Sequence, residues 1–191
     1  LNESISTNFL MGHLVIADSI SLLENAKIFG QESLRLRFKQ PAGINDEVEE
    51  EDLIDHVFRI YKVANISRAD ESTQVIQLFF TSNEFIESRR VRVSQAFRGS
   101  MTDIAALIAE DHLDIKNETL DKKLEPHFEV REKSQGENYH VIIPNWTVNY
   151  AINWLCAQAQ GVDDSSGLQD SFYWYQTANG SYRIQSLASM M

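Results

Sequence analysis

Apolar and polar residues alternate along the first half of this chain, and past Gly99 the apolar positions fall at helical spacing. Phe9 to Ala17 (Phe-Leu-Met-Gly-His-Leu-Val-Ile-Ala) reads as a mostly buried strand, with Gly12 as a bulge or a point of close approach. Asp18-Ser19 ends it, and Ser21 to Gly30 reads as a turn or helical loop stopped by glycine. Leu34, Leu36 and Phe38 then alternate with Arg35, Arg37 and Lys39, which predicts a half-buried strand. A loop marked by Pro41, Gly43 and an acidic cluster follows. From Asp55 a strand is expected with Val57, Arg59, Tyr61 and Val63 on one face and Phe58, Ile60, Lys62 and Ala64 on the other. Thr73 to Thr81 is the next strand. Ser82-Asn83-Glu84-Phe85 can begin a helical turn, because serine and asparagine side chains accept bonds from free backbone amides. Arg89 to Phe97, with Val91, Val93 and Gln95 alternating, is expected to pair with the same sheet. Together these pairings predict an antiparallel meander or small barrel over residues 1 to about 95.

In the second half, Ser100 or Thr102 caps a helix with Asp103 in its first turn, and Ile104, Leu107 and Ile108 form its apolar stripe to about Asp111. Phe128 to Val130 and Tyr139 to Ile143 read as strands around a loose loop at Lys133 to Glu137. Pro144-Asn145-Trp146-Thr147 then opens a helix from Val148 to Gln160. Its Ala151, Leu155 and Ala159 recur every fourth residue beside Ile152 and Cys156, and Trp146 is placed to pack on Ala151 as a hydrophobic staple. The last element is a hairpin, Ser171 to Tyr175 and Tyr182 to Leu187, turning at Asn179-Gly180. The fold class expected is α+β: a β-rich barrel-like domain over residues 1–95 and a smaller mixed α/β domain over residues 96–191.

Composition narrows the function classes. A hydrophobic fraction of 43% supplies a core, and no apolar run approaches the roughly 18 residues a membrane helix needs. Membrane insertion is not expected, and the first residues are too polar for a signal peptide. Leu1 in place of methionine suggests a piece of a longer reading frame. The net charge of −11 argues against nucleic-acid binding by phosphate neutralisation. Much of that charge is local, in Asp46 to Asp52, which reads as a solvated acidic loop. Arg89, Arg90 and Arg92 make a basic patch, read as a solvated strand face.

No set of residues points to turnover. His13, His56, His112, His127 and His140 are scattered, without zinc-site spacing. Glu110-Asp111-His112 fits a helix C-terminus that favours a cationic histidine. Asp163 to Gly167 lacks the fixed glutamate of a calcium loop and reads as a turn. Cys156, the only cysteine, reads as a buried apolar residue rather than a nucleophile. Nucleophile-elbow, phosphate-loop and dinucleotide motifs are absent. The expectation is no catalytic residues, no cofactor and no metal. Phe172, Tyr173, Trp174 and Tyr175 are the candidate exposed aromatics, since alternate strand positions face opposite sides, unless both faces of the sheet are covered.

Several stretches resemble the central baseplate hub of contractile-tailed bacteriophages. They are Asn2 to Ile5 with Gly12 to Ser19; Ile28 to Glu32 before Leu34 to Phe38; Ser82 to Glu84 through Val91 to Ser94 and Ala96 to Gly99; and Ile143 to Thr147 with its helix and the Ser171–Leu187 hairpin. The resemblance implies a non-enzymatic structural protein of the virion tail, assembled in the bacterial host cytoplasm. It further implies a homotrimer of the full-length protein that joins tail tube to cell-puncturing spike around the DNA exit channel, with no sequence-specific nucleic-acid binding. By the same resemblance residues 1–95 are a first tube domain and 96–191 an accessory domain. The family hub continues into a second tube domain that this sequence lacks. Related spikes of bacterial contractile secretion systems share the barrel plan, so prophage and secretion origins both stand. The acidity then suits a negative lumen through which DNA slides. The alternative is a carbohydrate- or receptor-binding module with Tyr173, Trp174 and Tyr175 as stacking groups.

Overall fold

The computed structural model describes residues 1–39, 53–68, 73–115, 128–161 and 171–190. The acidic cluster Asp46 to Asp52 and the Asp163 to Gly167 turn lie outside the described residues. The fold is α+β and divides into two compact units, Leu1–Asn2 with Leu10–Asn83, and Glu3–Phe9 with Glu84–Met191. In sequence, the Leu10–Asn83 part of the first unit is thus inserted within the second.

The first unit holds β1 (Met11–Asp18), the short helix α1 (Leu22–Ala26), β2 (Ser33–Lys39), β3 (Leu53–Arg68) and β4 (Gln74–Ser82). Its strands form one antiparallel sheet, ordered β1-β4-β3-β2 and curled into a half-barrel. β2, β3 and β4 are the expected meander, and β1 joins on the far side of β4. Gly12 faces Phe80 with no break in the β1–β4 register, so it is no bulge. A Cβ on Gly12 would lie 2.7 Å from Phe80 Cζ, and close approach is what requires glycine. The core comprises Leu10, Phe58 and Phe80 in one cluster and Ile60, Ile76 and Leu78 in another.

Simple alternation fails in β3. Its register against β4 shifts between Ile60 and Lys62, leaving Tyr61 as the extra residue. Phe58 and Ile60 share one face, as the alternation predicts, and that face is the buried one, but past the bulge the parity reverses. Val63 packs on the inner cluster, while Lys62 lies with its ammonium 5.1 Å from the Phe79 ring centroid.

The second unit contains α2 (Asn83–Arg90, starting at the boundary), β5 (Arg92–Gly99), α3 (Met101–Leu113), β6 (Phe128–Val130), β7 (Tyr139–Thr147), α4 (Val148–Gln158), β8 (Phe172–Gln176), β9 (Tyr182–Ser186) and a 3-10 turn at Ala188–Met190. Two sheets form, an antiparallel β5–β7 pair and a β6-β9-β8 sheet in which β6 runs parallel to β9. The expected strand from Arg89 is corrected here. Arg89 and Arg90 close α2, where basic side chains complement the helix dipole and Glu84 complements its start. β5 leaves the first sheet altogether and pairs with β7, turning Val93 and Phe97 onto the core shared with α3 and α4.

Ser100 caps α3 by accepting a bond from Asp103 N at 3.1 Å. The helix runs two residues past the expected Asp111, and Leu107 is exposed; Ala105 and Ala109 complete the buried stripe with Ile104 and Ile108. In α4, Ala151, Ile152, Leu155, Cys156 and the following Ala159 are buried as the four-residue spacing predicts. Residues Glu3–Phe9 also belong to this unit. Phe9 is buried among Phe85, Trp174 and Tyr182, with ring centroids 5.6, 5.2 and 6.1 Å away. The first strand therefore starts two residues later than its apolar run.

Candidate assembly surface

β9 lies between β6 and β8, and its Tyr182, Ile184 and Ser186 face inward opposite Gln176, Trp174 and Phe172. Trp174 is 1% exposed and stacks on Tyr182 at 5.9 Å with rings inclined by 28°. On the opposite face Tyr175 is buried and its hydroxyl accepts a bond from Gln185 Nε2 at 3.1 Å, while Tyr173, Arg183 and Gln185 are partly exposed. Only Tyr173 of the four aromatics is partly exposed. Of the two arrangements open for this hairpin, the covered one holds for Phe172, Trp174 and Tyr175, and Tyr173 stays partly exposed. The hairpin closes through a five-residue loop, Thr177 to Ser181, in which Thr177 N donates to Ser181 O at 2.8 Å and Gly180 takes φ 89°.

Another group of partly exposed aromatics is formed by Trp146 at the end of β7 and by Tyr150 and Trp154 on α4. Ile143 pairs with Gln95 and Trp146 with Val93, so β7 carries one residue more than β5 between these pairs. Asn145, at φ 57°, takes up the extra residue, and its carbonyl accepts a bond from Arg92 Nη1 at 3.2 Å. The bulge restores Trp146 to the core side, where strict alternation from Ile143 would turn it away. Trp146 packs against the core cluster that contains Ala151, the residue it was expected to staple. Its ring meets Tyr150 at 4.9 Å and Trp154 at 5.5 Å, both edge to face. Trp146, Tyr150 and Trp154 repeat every fourth residue, one register before the Ala151 series. That spacing was present in the sequence and could have disclosed the stripe. Beside it, Asn153 and Asn8 exchange amide bonds at 3.0 and 3.1 Å, and Asn153 Oδ1 also accepts Trp174 Nε1 at 2.9 Å.

The remaining sequence candidates scatter. Arg89 sits over the Phe85 ring, Arg90 pairs with Glu87 in its own helix, and Arg92 holds Asn145; they form no common site. His112 Nε2 is buried without a hydrogen-bond partner among the described residues. So is Ser82 Oγ, which therefore does not cap α2. Among the described residues, no three His, Cys, Asp or Glu side chains gather as a metal-binding group, and no helix is long and apolar enough to cross a membrane.

Burial pushes the Cys156 thiol up to about 12. The native protein should therefore leave Cys156 unmodified by an aromatic disulfide reagent at about pH 8, while urea-unfolded protein reacts with one equivalent. Fast labelling of native protein would contradict the packing.

Burial raises the pKa of Glu84, against the lowering effects of its own backbone amide and the Tyr182 hydroxyl 3.2 Å away. A raised folded-state value means that its stabilising contribution is whole below the ordinary glutamate value and fades as pH climbs through the raised one. Glu84→Gln should then be more stable than the natural chain at about pH 8 and lose that advantage by about pH 4. Urea midpoints at the two pH values check the sign.

In the first unit, β1 and β2 are sheet edges with no strand beyond them among the described residues. Val15, Val57 and Tyr61 on the outer face are each about half exposed or more. The connection from β1 to β2 is rigidly tied: Asp18 accepts Ile20 N and Leu22 N at 3.0 and 2.6 Å, and Glu32 accepts Phe29 N, Gly30 N and Gln31 N at 2.8 to 2.9 Å. The polar side chains of this loop fix its backbone, while its apolar Ile20 and Phe29 point into solvent. Exposed apolar groups on a fixed frame suit contact with another protein. No protein-family model and no curated protein sequence matches this chain.

Proposed function

We propose that this chain is a structural component of a phage tail baseplate hub, a ring that joins the tail tube to the cell-puncturing spike and surrounds the DNA exit channel. The observation that carries the reading is the curled four-stranded sheet of the first unit, with two edge strands that have no neighbouring strand among the described residues and with exposed Val15, Val57 and Tyr61 set among the charged Arg35, Arg37 and Asp55, in the part of the chain where the resemblance expects a tube domain. Open edges are ready templates for strand pairing between subunits, and they require no turnover. Its partners are further copies, the tail tube and the spike. The acidic composition suits a lumen that does not retain DNA, provided the carboxylates line it.

The solution mass of the complete polypeptide, with electron microscopy of its particles, tests the proposal. Closed rings of trimeric mass are expected. A monomer that forms no ring, alone or with tube and spike proteins, would end it.

A further inference from the structure

We infer that the solvent side of α4, centred on the exposed Tyr150 and flanked by the partly buried rings of Trp154 and of Trp146 at the end of β7, is a contact surface for a second copy of this chain. The inference rests on the assembly reading and assigns it a surface. Between Glu137 and Asp163 the sequence contains no Asp, Glu, Lys or Arg, in a chain that is 24% charged. α4 lies wholly inside that stretch. A surface helix ordinarily sets charges on its outer side; here that side offers Asn149, Tyr150, Trp154, Ala157 and Gln158. Tyr150 is 55% exposed.

The polar atoms of the stripe are also uncommitted. Among the described residues, neither indole N–H of Trp146 and Trp154 nor the Tyr150 hydroxyl makes a hydrogen bond within the chain, whereas the neighbouring Asn153 amide is fully engaged. Aromatic rings with unused donors and no charges have the composition of an interface core.

The charge of the whole chain selects the occupant. A partner of opposite sign would be met best by carboxylates, which abound elsewhere on this chain. A partner of the same sign can approach closely only where charge is missing. Two copies each carrying −11 satisfy that condition, and the charge-free α4 face lets them meet without opposed carboxylates.

The test is the mass of the complete chain as a function of concentration for the natural protein, Tyr150→Lys and Leu107→Lys. Leu107 is exposed on α3, so its substitution adds the same charge to the other long helix of the same unit. Tyr150→Lys should raise the dissociation constant at least about tenfold, as loss of a central aromatic contact does; Leu107→Lys should leave it unchanged. Tyr150→Ser, which adds no charge, should weaken association in the same direction and guards against a misfolded lysine variant. If both Tyr150 variants keep the natural mass, or Leu107→Lys weakens association equally, the α4 inference falls and the assembly reading survives. If the natural chain is monomeric at every concentration, both fall.

Discussion

Replacing Trp174 with alanine is expected to destabilise the second unit by about 3–5 kcal/mol, enough to unfold a marginal domain. The side chain is 1% exposed, stacked on Tyr182, edge-on to Phe9 and 6.5 Å from Phe128. Its removal opens a cavity among rings that cannot collapse into it, and it leaves Asn153 Oδ1 without its indole donor. Trp174→Phe keeps most of the packing and loses the donor, so its cost should be smaller, about 1–2 kcal/mol. Denaturant midpoints and near-ultraviolet circular dichroism read both effects. A stable, well-packed Trp174→Ala protein whose only defect is sugar binding would restore the carbohydrate reading and refute the core assignment.

A second large effect is expected far away in the sequence. Phe9→Ala should also cost about 3–5 kcal/mol, and the loss should appear in the second unit, although residues 10–83 of the first unit follow Phe9 directly. Phe9 fills the space between Phe85, Trp174 and Tyr182 and is 3% exposed. Asn8 beside it donates to Trp174 O at 2.8 Å and pairs with Asn153, so the segment is fastened by polar bonds as well as by packing. Because Phe9 and Trp174 touch, their effects should not add; the double variant should lose less than the sum of the singles. Amide exchange resolved by residue locates the loss. If protection fell only in β1 to β4, the assignment of Glu3–Phe9 to the second unit would be wrong.

Much of the local structure was legible in the sequence. Alternation marked β2, the Ser100 and Asp103 pair marked the start of α3, and the four-residue spacing of Ala151, Leu155 and Ala159 marked the buried face of α4. Each of these signals lies within a few residues of the element it specifies. Legibility failed where one added residue reversed a face, as at Tyr61 in β3 and Asn145 in β7. It failed again where helix and strand signals overlapped, as at Arg89 and Arg90. The stripe beside the buried face of α4 was legible in principle, since Tyr150 and Trp154 stand four residues apart and Trp146 four residues before them at the end of β7.

The sequence alone determined the α+β class, the order of most strands and helices, and the placing of Cys156 in an apolar face, because period, caps and turn residues act between near neighbours in the chain. Only the tertiary structure decided that β5 pairs with β7, that Glu3–Phe9 completes the second unit, and that Tyr175 is covered while Tyr150 is not. Those outcomes depend on partners as distant as Asn8 and Asn153, 145 positions apart, and on which surfaces remain after each strand has found its neighbour. An apolar pattern shows that a face must be covered; what covers it is set by the packing of the whole unit.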